Sequence, residues 1–237
     1  MRSEAAGARS TNLSRAVCSS LLPPYSSPVW LFDLDNTLHN ATPHIFPRIN
    51  DAMTAYVAEA LGVDEAEANR VRLDYWMRYG ATLTGMMRHH GTDPHHFLHH
   101  THQFPELRSM VVFDRALKGM LKKLPGRKIV FSNAPRIYAA AVLEVMGIDG
   151  LFDALWSIEH LRFQPKPLLS GFHRLLHKER LNPARCIMVE DTAENLRTAK
   201  RLGIRTVLVS RASQVPDYVD LRIQSVLNLP RHLGKLK

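Results

Sequence analysis

Four short apolar runs constrain this chain more than any other feature. They are Val29 to Phe32, Lys128 to Phe131, Cys186 to Val189 and Thr206 to Val209. Each has the length of a buried strand, and helical patterns lie between the later ones. Such alternation predicts an α/β fold built on a parallel sheet with crossover helices. Gly147 and Gly203 follow helical stretches as C-terminal caps, and Asn182-Pro183 marks the loop into the third run. Between the first and second runs no strand pattern is found. Helical composition fills that interval over Ile49 to Leu61, Glu65 to Tyr79, the region from Thr84 to His90, and Pro94 to Gln103. A structureless loop of that length is implausible in a compact domain. We therefore expect a helical insertion after the first strand, over the carboxyl ends of the strands, where open α/β sheets bind ligands.

A chain of 237 residues accommodates one such core with one appendage. The expected division is a leader over 1–27, a core from 28–42 and 124–237, and a helical cap over 43–123. The leader has arginines but no continuous apolar core, so it does not read as a secretory signal. A disordered leader or a start site placed too far upstream is the preferred reading, and an organelle transit peptide is the alternative. Cys18 and Cys186 sit in unlike contexts, which argues against a disulfide framework. No apolar stretch approaches the roughly 20 residues of a membrane helix, so a soluble, cytoplasmic protein with no membrane partner is expected. Part of the formal charge of +9 lies in the leader and the tail, without a dense basic block. A positive field of this kind draws in small phosphorylated substrates. It also suits an ordinary basic surface, and nucleic-acid binding is kept as a rival.

Chemistry enters at Asp33-Leu34-Asp35-Asn36-Thr37, directly after the first run. In isolation two acids and a threonine equally well cap a strand-to-loop turn. They also suit hydrolysis of a phosphate monoester, a reaction that demands accelerations approaching ~10²¹-fold. One carboxylate can form an aspartyl-phosphate while a second protonates the leaving alcohol and later deprotonates water. Carboxylate and phosphate repel each other, so a cation is needed, and magnesium suits oxygen ligands. Three later features join this motif at predicted strand ends or adjoining loops. Ser132 and Asn133 follow the second strand and offer a hydroxyl and free amides to phosphate oxygens. Pro165-Lys166-Pro167 directs an ammonium from a loop stiffened by two prolines. Glu190-Asp191-Thr192 ends the third run, where an acidic pair can complete a cation site or cap a helix.

In this order the four motifs resemble those of the haloacid-dehalogenase superfamily, from about Val29 to about Ser210. The resemblance implies a Rossmann-like core with a helical cap, Asp33 as nucleophile and Asp35 as general acid and base. It further implies magnesium held by the Asp33 carboxylate, the Asp35 backbone carbonyl and Asp191, with Glu190 close by. Ser132 and Lys166 would bind phosphate, and Thr37 and Asn133 would support the loops. True dehalogenases need no acid for an alcohol, so the acid at Asp35 favours phosphate chemistry. The carboxylates do not distinguish hydrolase from phosphomutase.

The segment Tyr75-Trp76-Met77-Arg78-Tyr79-Gly80-Ala81-Thr82-Leu83-Thr84-Gly85 is similar to the cap of the pyrimidine 5′-nucleotidase branch. In that reading a nucleoside monophosphate offers its base to Tyr75 or Tyr79 and its polar edge to Arg78. Stacking of this kind is worth about 1 to 3 kcal/mol. Helical spacing of Trp76, Tyr79 and Leu83 would equally pack the cap against itself. Sugar phosphates and other small phosphate esters are the alternative substrates. Seven of the 13 histidines fall between His89 and His102. Without a cysteine or a recognisable carboxylate partner, they read as a solvated polar face rather than a zinc site.

Overall fold

Six parallel strands form one sheet in the order β3-β2-β1-β4-β5-β6 in the computed structural model, which describes residues 27–236. The strands are β1 (Val29–Phe32), β2 (Arg127–Phe131), β3 (Ala154–Trp156), β4 (Cys186–Glu190), β5 (Arg205–Val209) and β6 (Leu221–Ile223). Residues 1–26, most of the expected leader and with it Cys18, lie outside the described residues. Four strands match the four apolar runs. β3 and β6 are three residues each, too short to carry a period of their own. β1 pairs with β2 on one side and β4 on the other, the chain running out through β2 and β3 and then crossing back to β4. That central strand is the switch point beside which doubly wound sheets open a crevice.

Consecutive β1 residues supply opposite faces of the sheet, as the period of two requires. Trp30 and Phe32 join one buried cluster, while Val29 and Leu31 join the other. Both faces are covered, which is why the run is apolar throughout. Full burial of Leu31 and Phe32 contributes about 1.5 to 3 kcal/mol each. On the first face pack α6 (Leu117–Lys123) and α7 (Arg136–Met146) through Leu117, Leu121, Tyr138 and Val142. On the second pack α8 (Leu169–Lys178) and α9 (Ala193–Arg201) through Phe172, Leu175, Leu196 and Ala199. Entry into β2 requires a glycine: Gly126 has φ +87, and a Cβ there would lie 2.0 Å from the Pro28 carbonyl oxygen.

The expected helical insertion is present, as α1 (Ile45–Leu61), α2 (Glu65–Tyr79), α3 (Thr82–His90), α4 (Pro94–Thr101) and α5 (Leu107–Met110), followed by α6. α1 begins before the expected Ile49 because Pro47 sits within its first turn, where the missing N–H costs nothing. Val57, Leu83, Met86 and Phe97 carry the insertion into the second cluster. Gly147 is the left-handed cap of α7, and Gly203, at φ +81, follows α9. Among the described residues no helix is long and apolar enough to cross a membrane.

Candidate active site

Three strand ends deliver the polar groups that meet at the sheet edge. The Asp33 N–H extends the ladder beyond β1, donating to the Val189 carbonyl at 3.0 Å, and Ser132 does the same beyond β2, to Trp156 at 2.8 Å. Glu190 is the last residue of β4. Lys166, from the loop before α8, reaches into the gap between them. Its Nζ donates to Asp33 Oδ1 at 2.8 Å, Glu190 Oε2 at 2.7 Å and the Phe131 carbonyl at 2.7 Å. All three ammonium donors are thereby used, as a cation only 3% exposed requires. Asn133 holds the Lys166 main chain at both ends: its Nδ2 donates to the Lys166 carbonyl, and its Oδ1 accepts from the Lys166 N–H.

Asp33, Glu190 and Asp191 bring carboxylate oxygens within 4.8 Å of one another, among the described residues the one such group of three potential ligands. Burial first, and repulsion from Glu190 next, push the Asp33 carboxyl above the usual carboxylate range, with Lys166 opposing. Burial likewise raises Glu190, and burial together with Asp33 raises Asp191. For Lys166 the sign reverses: burial favours discharge, but Asp33 and Glu190 outweigh it and hold the ammonium above its ordinary value. One buried cation therefore faces three crowded acids. A hard-oxygen cluster with excess negative charge is the donor set that a magnesium ion fits.

Asp35 stands on a tight loop in which Leu34 O accepts from the N–H groups of Thr37 and Leu38, and Asn36 turns left-handed at φ 59. Asn36 Oδ1 accepts from the Ala41 N–H and the Thr42 hydroxyl, closing the loop. Oδ1 of Asp35 accepts from the Tyr138 hydroxyl at 2.6 Å and lies 2.9 Å from His39 Nε2. Burial, then Asp35, raise the Tyr138 hydroxyl far above its usual value, so it remains a donor. Thr37 is buried with its hydroxyl unpartnered, and it lines a smaller neighbouring cavity rather than the cleft over Asp33.

That cleft has a volume of about 550 Å³. Its floor holds Asp33, Asp35, Ser132, Asn133, Lys166, Glu190 and Asp191, and its walls come from α1, α2, the start of α3 and α4. Tyr75, Arg78 and Tyr79, expected at the substrate, do not line it. Of α2, Arg72, Leu73 and Trp76 line the cleft, while packing against α3 draws the Tyr75 and Tyr79 rings away from it. Tyr75 and Tyr79 instead hydrogen-bond with His90 and His89 of α3, each at 2.7 Å, and Arg78 pairs with Asp74. Leu83 is buried, so packing of the insertion on itself accounts for much of this segment.

Arg72, His102 and Tyr138 line the cleft without having been named as site residues in the sequence, and Trp76, read there as a packing residue of the cap, lines it as well. For Arg72 and Trp76 the signal was available in their spacing with Gly80, four residues apart. Arg72 donates to Asn50 at 2.9 Å, Thr54 at 3.1 Å and Asn69 at 2.8 Å, bridging α1 and α2. His102 belongs to the histidine-rich segment yet is buried, and desolvation lowers it to about 4.

Residues 29–203 match the family described as haloacid dehalogenase-like hydrolase. The chain belongs to that family. Among curated relatives of this hydrolase, Phosphate metabolism protein 8 of Saccharomyces cerevisiae is 23% identical over 78% of the chain. The match spans 62% of the yeast protein's length. Phosphoglycolate phosphatase of Colwellia psychrerythraea is 25% identical, over 76% of the chain and 82% of that protein. The fold of the hydrolase is similar to that of a HAD phosphatase from Thermococcus onnurineus, with a TM-score of 0.64 at 17% identity, covering 88% of this chain and 98% of that one. It is also similar to L-2-haloacid dehalogenase from Xanthobacter autotrophicus, with a TM-score of 0.56 at 16% identity and the same coverage. Phosphatases and dehalogenases thus share the fold, and only the site chemistry separates them.

Proposed function

We propose that this hydrolase cleaves phosphate monoesters in a magnesium-dependent reaction, with Asp33 as nucleophile and Asp35 as general acid and base. The observation that carries the reading is the buried cluster of Asp33, Lys166, Glu190 and Asp191 on the floor of a cleft that also holds Asp35. A carbon-halogen substrate has no leaving alcohol, so a second acid two residues after the nucleophile suits phosphate chemistry. In the first step a carboxylate oxygen of Asp33 bonds to phosphorus, the ester P–O bond breaks, and the alcohol oxygen takes the proton of Asp35. In the second, Asp35 removes a proton from water as its oxygen attacks phosphorus, releasing phosphate and the Asp33 carboxylate. Ser132 Oγ already accepts from the Ala134 N–H at 3.0 Å, which leaves its proton for a phosphate oxygen. Asp33, Asp191 and Glu190, with the Asp35 carbonyl, are the groups that would hold magnesium. When bound, the ion offsets the charge of phosphate and nucleophile. Asn133 keeps Lys166 in place, and within 43–123 the helices α1 to α4 serve as the cap over a core from 28–42 and 124–237, to which α6 adds by packing on the sheet.

For the substrate we propose a nucleoside 5′-monophosphate with a pyrimidine base. A cleft of about 550 Å³, larger than a phosphate site needs, ends in Trp76, which is 59% exposed, with Arg72 one turn earlier on the same stripe. An indole at the rim offers a stacking face, and the guanidinium donates to carbonyl edges. Base recognition thereby moves from Tyr75, Arg78 and Tyr79 to Trp76 and Arg72. The name of the Colwellia relative favours a second reading, a small carboxylated phosphate ester. Phosphate release from UMP, CMP, 2-phosphoglycolate and glucose 6-phosphate, with magnesium and with a chelator, separates the two. UMP and CMP should lead, and chelation should stop release. A flat profile removes the nucleotide assignment, and no release from any ester removes the phosphatase assignment.

A further inference from the structure

Asp35 is held in an unusual way for a residue that must carry a proton. Both close donors in its surroundings converge on one oxygen, Oδ1: the Tyr138 hydroxyl at 2.6 Å and His39 Nε2 at 2.9 Å. They come from different elements, Tyr138 from α7 and His39 from the far limb of the Asp35 loop, which a backbone bridge between residues 35 and 39 closes. Tyr138 is 2% exposed and His39 4%, while the Asp35 side chain keeps 17% exposure and lines the cleft. Nδ1 of His39 is buried without a hydrogen-bond partner. A buried N–H without an acceptor is costly, so the tautomer that fits carries its proton on Nε2 and donates it to Asp35. Among the described residues no side chain or backbone group hydrogen-bonds Oδ2 of Asp35.

We propose that Tyr138 and His39 are positioning residues that divide the labour between the two oxygens of Asp35, reserving Oδ2 to carry the proton that the leaving alcohol receives. The inference rests on the phosphatase reading above. With Oδ1 saturated by two donors, a proton there would lack room and would displace one of them. The proton must therefore ride on Oδ2, the oxygen free to meet substrate. Once the P–O bond has broken and the alcohol has taken that proton, the new negative charge on Asp35 is received by two hydrogen bonds already formed. Neither Tyr138 nor His39 changes its own protonation in the step, and no co-reactant is needed.

The test uses the dependence on leaving group. A p-nitrophenolate departs without a proton, whereas an alkyl alcohol requires one, and kcat/KM reports only steps up to loss of the alcohol. Tyr138→Phe keeps the buried ring and removes the donor. His39→Leu removes the second donor, and His39→Gln retains an amide N–H of similar reach. For an alkyl phosphate, kcat/KM should fall ~10-fold or more in Tyr138→Phe and His39→Leu, a part of the 10²- to 10⁴-fold that general acid catalysis contributes in full. For p-nitrophenyl phosphate it should fall less than about 3-fold, and His39→Gln should recover most of the alkyl activity. If Tyr138→Phe does not fold, the two His39 variants carry the comparison alone. Equal losses on both esters, or no loss on either, overturn the inference while leaving the phosphatase standing. A wild-type chain inactive on both overturns the phosphatase reading and the inference with it.

Discussion

His102 shows how one buried side chain ties the cleft to acidity. It stands at the end of α4, with Nδ1 2.8 Å from the Thr101 hydroxyl, and desolvation lowers its pKa from 6.5 to about 4. A group depressed on folding contributes stability that is present above its unfolded value and lost as pH falls through the folded one. The window therefore runs from about pH 6.5 down to about pH 4. Between pH 7.5 and pH 5 the wild type should lose about 2 kcal/mol more in urea unfolding than His102→Gln, which cannot titrate. Parallel losses in the two proteins would show that His102 is not the titrating group. Nothing local marks this histidine among its neighbours in sequence, because burial is decided by what α4 packs on. Tyr138 was equally hidden, its partner Asp35 lying 103 residues away. Asp33, Ser132 and Glu190 were legible because each ends or follows an apolar strand, and strand ends of a parallel sheet share an edge, whereas Lys166 was legible from the two prolines that flank it.

At the scale of elements, long strongly patterned segments could be read and short ones could not. β1, β2, β4 and β5 were visible as apolar runs, and the helices of the insertion as amphipathic stretches. β3, β6, α5 and α6 owe their form to packing against neighbours, which no window of three to seven residues records. The face that α2 turns to the cleft was misjudged for a related reason. Aromatic content drew attention to Tyr75 and Tyr79, but the close approach of α3 decides where those rings go. Gly85 makes the approach possible: a Cβ there would lie 2.2 Å from Tyr75 Cγ. Helix propensity alone predicts that Gly85→Ala stabilises by about 0.5 to 1 kcal/mol. The clash with a packed ring costs more, about 1 to 3 kcal/mol, and should dominate. Urea denaturation should show net destabilisation, and a neutral or stabilised variant would mean that α2 and α3 are not packed as described.

For the whole molecule, the sheet and the insertion divide the work of the proposed phosphatase between them. A switch point at β1 gathers Asp33, Ser132 and Glu190 on one edge, the loop before α8 adds Lys166, and α1 to α4 wall the cleft. Fold alone does not separate phosphatases from dehalogenases, since the hydrolase is similar in structure to both. Under the proposed mechanism, the identity of the group that becomes covalently attached to Asp33 separates them. The most direct measurement is mass spectrometry of the Asp33 peptide after acid quenching of the wild-type enzyme during turnover of a phosphate ester with magnesium. The account predicts one phosphoryl group on Asp33, and neither phosphoryl group nor turnover in a folded Asp33→Asn variant. Steady phosphate release by Asp33→Asn, or wild-type turnover with the phosphoryl group on another residue, would contradict it.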